Sequence, residues 1–100
     1  MFRFHRTAQA SRGKFLEAHT FAKEVTEYLN TKYAPLSVQA YTELFGEGGR
    51  IHWYADYPDL ATIEKLNAQL LTDQGYWAIL TKSADAFIEG SVHDTLMQSL

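Results

Sequence analysis

The segment Leu36–Tyr57 constrains this chain more than any other: two alternating runs meet at Gly46-Glu47-Gly48-Gly49, the pattern of a β-hairpin with one polar and one apolar face. A four-residue connection pairs Phe45 with Arg50, Glu43 with His52, Tyr41 with Tyr54 and Gln39 with Asp56. These residues share one face. Leu44, Thr42, Ala40 and Val38 then share the other with Ile51, Trp53, Ala55 and Tyr57, and this is the natural core side. The register depends on the loop length, and a slip by one residue would mix the faces.

The flanking segments complete the architecture. Met1–Ala10 alternates as a first strand, with Phe2 and Phe4 toward the core and Arg3, His5 and Thr7 opposite. From Lys14 to about Thr31, Phe15, Ala18, Phe21, Ala22, Val25, Tyr28 and Leu29 recur at helical spacing, with Ser11 as a candidate cap. Pro35 forces an extended entry into the hairpin. A second helix is expected from Pro58 to about Thr72, with Pro58 in its first turn and Asp59 at the positive dipole end. Asp73 is placed to cap a short third helix running to about Ser83. Alternation over Ala86–His93 predicts the last strand, and the tail to Leu100 either extends it or turns helical.

With right-handed crossovers, strand, helix, two strands, helices and strand give an α+β ferredoxin-like sandwich: a four-stranded antiparallel sheet with helices on one face. No repeat, linker or low-complexity stretch divides residues 1–100, so a single domain is expected. The other sheet face has no cover from its own chain. It carries Tyr41, Tyr54 and Phe45 among Arg3, His5, Glu43, Arg50 and His52, an amphipathic surface suited to a second copy, and a homodimer is expected.

Charge and composition narrow the function. A net charge of −3 with no Lys/Arg run argues against nucleic acid and anionic membrane as partners. No stretch approaches the ~20 apolar residues of a membrane span, and the N-terminus has no apolar signal core, so a soluble cytoplasmic protein is expected. The chain has no cysteine, which excludes disulfides, thiolate nucleophiles and zinc–thiolate sites.

Three histidines, His5, His52 and His93, fall on the uncovered face, with Glu43 opposite His52. Imidazole with an orienting carboxylate is what proton transfer requires, so His52 is the candidate base and Glu43 its orienting group. A cross-strand pair that merely satisfies a polar face is the competing reading. Tyr41 and Tyr54 suit a pocket for a planar ligand or packing across a dimer seam. Arg3 and Arg50 suit a carboxylate clamp or interface ion pairs. His5, Tyr41, Tyr54, Arg50, Arg3 and His93 are therefore the candidate substrate contacts. No metal-ligand spacing and no phosphate loop is present, and no cofactor is expected. The remaining alternative is a non-catalytic assembly protein whose polar face is only an interface.

At Glu43-Leu44-Phe45-Gly46-Glu47 through Arg50-Ile51-His52-Trp53, followed by Asp56-Tyr57-Pro58-Asp59-Leu60, the chain resembles the dimeric α+β barrel superfamily, and more narrowly its NIPSNAP-like and antibiotic-biosynthesis-monooxygenase-like members. The resemblance implies two ferredoxin-like sheets packed face to face into a barrel, with a small organic molecule bound or transformed between the sheet and its partner. The superfamily spans cofactor-free monooxygenases, haem-degrading enzymes, chlorite dismutase relatives and proteins of no known activity, so the fold does not choose the chemistry. Haem-degrading members use an Asn on the first strand, a Trp and a helical His. Here the first strand offers His5, Trp53 is expected on the helix side, and the helices after the hairpin hold no His.

Overall fold

The computed structural model describes residues 1–100. Its elements are β1 (Phe2–Gln9), α1 (Phe15–Lys32), β2 (Val38–Thr42), β3 (Arg50–Tyr57), α2 (Leu60–Leu71), α3 (Gln74–Lys82), a 3-10 turn over Ala84–Ala86, and β4 (His93–Gln98). All strand pairings are antiparallel, in the order β2-β3-β1-β4. The helices lie on one side, which is the expected ferredoxin-like α+β arrangement.

Phe21, Ala22 and Val25 of α1 pack with Ala8, Val38, Ile51, Trp53, Ala55 and Tyr57 from the sheet to make the core. Phe21 meets Trp53 edge-on at 6.1 Å and Phe87 at 5.3 Å between ring centroids. Asn30 fastens α1 to the edge of the sheet: its amide donates to the Val38 carbonyl at 3.0 Å and accepts from the Val38 N–H at 2.7 Å.

Asp73 joins the helices. Its carboxylate caps α3 by accepting from the Tyr76 N–H at 3.1 Å, and it also accepts from the Tyr28 hydroxyl at 2.6 Å, from the Tyr33 hydroxyl, and from Lys32 Nζ at 3.0 Å. Its side chain is 2 % exposed. The two tyrosine hydroxyls, ahead of Tyr76 N–H and Lys32, hold the Asp73 carboxyl far below the usual carboxylate range. Gly75 is a requirement of space here, because a Cβ at this position would sit 2.5 Å from the Tyr28 hydroxyl.

Four expectations are corrected. First, the hairpin pairs Gln39 with Tyr54 and Tyr41 with His52, two residues out of the expected register. The connection is Glu43–Gly49 rather than Gly46–Gly49, because Glu43 Oε1 accepts the Glu47 N–H at 3.0 Å and Gly46 and Gly49 adopt φ of 116° and 86°. A slip of two keeps each residue of β2 and β3 on its expected face, while Leu44 and Phe45 fall in the connection. Second, α1 starts at Phe15 with Lys14 before it and no side-chain cap, so Ser11 is not the cap. Third, Pro58 precedes α2, whose cap is Asp59, with Oδ1 accepting from the Thr62 N–H at 2.8 Å. Fourth, the last strand lies at His93–Gln98. Ala84–Ala86 forms the 3-10 turn, Phe87 bridges to Ala10, and Gly90 at φ 79° turns the chain before β4 begins.

Candidate functional site

The two faces of the sheet differ in chemistry. On the uncovered face, cross-strand register brings Arg3 beside Asp56, His5 beside Tyr54 and Thr7 beside His52. Arg3 donates twice to Asp56, at 2.8 and 2.9 Å, and lies 5.9 Å from the Tyr54 ring centroid. The His5 ring stacks on Tyr54 at 4.4 Å and 4°, and lies 5.1 Å from the His52 ring at 6°. Tyr41 meets Tyr54 edge-on at 5.8 Å.

A hydrogen-bonded chain runs through this face. Glu43 Oε2 lies 2.6 Å from His52 Nε2, and His52 Nδ1 lies 2.8 Å from His5 Nε2. The Glu43–His52 contact that sequence suggested is therefore made, diagonally across the hairpin rather than directly. The carboxylate only accepts, so His52 Nε2–H donates; in the neutral form of His52 its Nδ1 accepts from His5 Nε2–H, and in the imidazolium form that second bond reverses. His52 holds Glu43 below its ordinary pKa, helped by the Glu47 N–H and Arg50. Burial, followed by the His52 ring, holds His5 below its ordinary value, with Asp94 opposing.

Of the other sequence candidates, Arg50 donates to Thr7 Oγ1 at 3.2 Å and to Glu47 at 2.9 Å, and lies 3.9 Å from Glu43. It braces the loop, and no pair with Arg3 forms. His93 does not join the chain: it opens the exposed β4 opposite Thr7. No three His, Cys, Asp or Glu side chains converge as a metal ion would need. An open groove beside the chain is lined by Arg3, Gln39, Tyr41, Thr42, Glu43, His52 and Tyr54.

The helix side holds what sequence reasoning missed. Neither α2 nor α3 has a fully buried residue, although Ile63, Leu66, Tyr76, Ile79 and Leu80 pack against the core. A cavity of about 360 Å³ opens beneath them, lined by 22 residues of which 19 are hydrophobic, among them Phe4, Phe21, Trp53, Ile63, Leu66 and Tyr76. Trp53 is 8 % exposed and its indole Nε1–H is buried without a hydrogen-bond partner. Arg6 lines the same cavity, paired to Asp94 at 2.7 and 2.8 Å. The apolar stripes of α2 and α3 are legible in sequence as core-facing residues, but the width of the gap they leave is not.

The whole chain can be compared with known proteins on this basis. The model of DUF6039, a family of unknown function, matches residues 2–98. The chain belongs to this family. No curated protein matches its sequence. Among solved structures, it is similar to an uncharacterised NIPSNAP domain protein from Burkholderia xenovorans, at a TM-score of 0.81 and 18% identity over 100% of this chain and 95% of that one. Protein Atu4242 from Agrobacterium tumefaciens aligns at 0.82 and 17% identity, over 100% and 94% of the two chains. An antibiotic biosynthesis monooxygenase aligns at 0.74 and 12% identity, over 100% and 99%. These likenesses bear out the resemblance to NIPSNAP-like and monooxygenase-like chains at the level of fold.

Proposed function

We propose that this DUF6039 protein binds a small, planar, mainly apolar organic molecule, and that the cavity between sheet and helices is where it does so. The observation that carries this reading is the cavity itself. Its volume of about 360 Å³ falls in the range of small-molecule sites, roughly 300–1,000 Å³. An apolar wall suits an apolar body, and the unpartnered Trp53 Nε1–H suits a ligand with one hydrogen-bond acceptor. The similarity to an antibiotic biosynthesis monooxygenase is compatible with such a ligand, but the reading stands on the cavity. It differs from the expected location between two sheets, where this protomer offers a more open, more polar groove of similar volume, about 370 Å³.

1,4-Naphthoquinone, planar with carbonyl acceptors, is a suitable probe, and the absence of cysteine removes its usual side reaction. In a Trp77→Phe background Trp53 is the remaining tryptophan. Saturable quenching at micromolar concentration is expected. Filling the cavity with Leu70→Trp should weaken the probe about tenfold or more when binding is read by calorimetry. Linear, non-saturating quenching would overturn the reading.

The uncovered face supports a second part of the proposal, that two copies meet through it. Tyr41 is 55 % exposed and Met97 43 %, with Phe45 of the hairpin loop 95 % exposed, aromatic and apolar surface of the kind that marks an interface. A dimer built on this face should bury at least about 1,200 Å² in total. Sedimentation at low micromolar concentration is expected to give twice the mass of the chain, and Tyr41→Glu is expected to halve it. A folded monomer for the unaltered protein at that concentration would refute the interface.

A further inference from the structure

The hydrogen-bonded chain on the uncovered face lies on the opposite side of the sheet from the cavity and goes beyond the binding reading. Both ring nitrogens of His52 are engaged, one by Glu43 and one by His5, so His52 has no lone pair left for a substrate. His5 has one. Its Nε2 is committed to His52, while Nδ1 has no hydrogen-bond partner and is not among the buried polar atoms. The hydroxyl of Tyr54, whose ring stacks on His5 at 4.4 Å, is likewise neither hydrogen-bonded nor buried without a partner.

We propose that this face is an acid–base site in which His5 Nδ1 is the proton acceptor, Tyr54 the hydrogen-bond donor, and the substrate an enolisable carbonyl compound. A base beside a phenol hydroxyl is the pair that abstraction of a proton α to a carbonyl needs. The C–H electron pair becomes the enolate double bond, the carbonyl π pair moves to oxygen, and Tyr54 O–H donates to that oxygen. The proton goes to His5 Nδ1, and the Nε2 proton of His5 can pass to His52 Nδ1. The positive charge then rests on His52 beside the Glu43 carboxylate. Return of the proton to the same or a conjugated carbon completes the cycle without an oxidant, a reductant or a metal ion. Glu43 and His52 are positioning residues: they fix the His5 tautomer and stabilise the charge that arrives. Tyr54 lines the adjoining groove with Tyr41, and the His5 ring stacked on Tyr54 stands beside that groove, outside its lining. Every group of the proton-transfer chain comes from one protomer.

Phenylpyruvate, whose benzylic protons are α to a ketone, tests the site through exchange of those protons in D₂O followed by NMR. The protein is expected to exceed an equal concentration of free imidazole by at least about 100-fold, in the range that positioned general bases give. His5→Asn should return the rate to that of imidazole. Glu43→Gln keeps one of the two acceptor oxygens and removes the charge, so it loses either the His52 or the Glu47 N–H bond, and it should lower the rate about 10-fold or more while the protein stays folded. Nitrogen-15 spectra of the unaltered protein supply a readout independent of any substrate, with His5 protonated at Nε2 and unprotonated at Nδ1. A rate no greater than imidazole, a His5→Asn variant as fast as the parent, or His5 protonated at Nδ1 instead of Nε2 would each overturn the proposal.

Discussion

Asp73→Ala should lower the thermal midpoint by about 10 °C or more, because one carboxylate serves four partners on two helices and each loses its acceptor at once. The α3 cap goes, and the hydroxyls of Tyr28 and Tyr33 lose their partner in a part-buried site. The same carboxylate makes stability acid-sensitive. Its folded pKa is depressed, so its contribution is complete above the unfolded value of about 3.9 and fades as pH falls below it. Thermal melts of the parent and of Asp73→Asn should therefore differ most near neutral pH and converge toward pH 2. Parallel curves over that range would show that Asp73 does not act through its charge.

Phe21→Ala should cost about 3–5 kcal/mol, the usual range for removing a core phenylalanine, and lower the midpoint by more than about 12 °C. Phe21 is 8 % exposed and is held edge-on between Trp53 and Phe87. It also lines the cavity under α2 and α3. The neighbouring atoms already border open space, so their collapse into the new void recovers little. Urea melts should show a lower midpoint at an unchanged slope. A loss below about 1 kcal/mol would mean that the helices close down on the sheet and refill the site.

The parts of this fold legible in sequence are those where one period dominates. The eighteen residues of α1 carry a continuous apolar stripe, and Asp73 stands where a cap and a helix start coincide. Face assignment on the hairpin was equally legible, since alternation sets it and an even slip preserves it. Register was not, because it depends on Glu43 folding back onto the Glu47 N–H, a long-loop closure that glycine content alone mimics with a shorter turn. The last strand was displaced for a related reason. Ala86–His93 alternates, but Gly90 at positive φ breaks it, and β4 gains its place only through pairing with a strand at the other end of the sequence.

The candidate site divides in the same way. Glu43 beside His52 followed from local pairing, whereas His5 as the terminal nitrogen required knowing that β1 lies against β3. The cavity was invisible because apolar residues on α2 and α3 look alike whether they touch the sheet or stand away from it.

The place of β1 between β3 and β4 bears on how the chain is made. The first of these four strands in sequence is an inner strand, and Phe2 must wait for Tyr57 on one side and Gln98 on the other. Pairings this distant in sequence favour folding in milliseconds to seconds over microseconds. Until β3 has been translated, Phe2–Gln9 has both rows of backbone donors and acceptors open. The nascent protein therefore meets its greatest hazard of pairing with other chains early, and a ribosome stalled between α1 and β3 would prolong it.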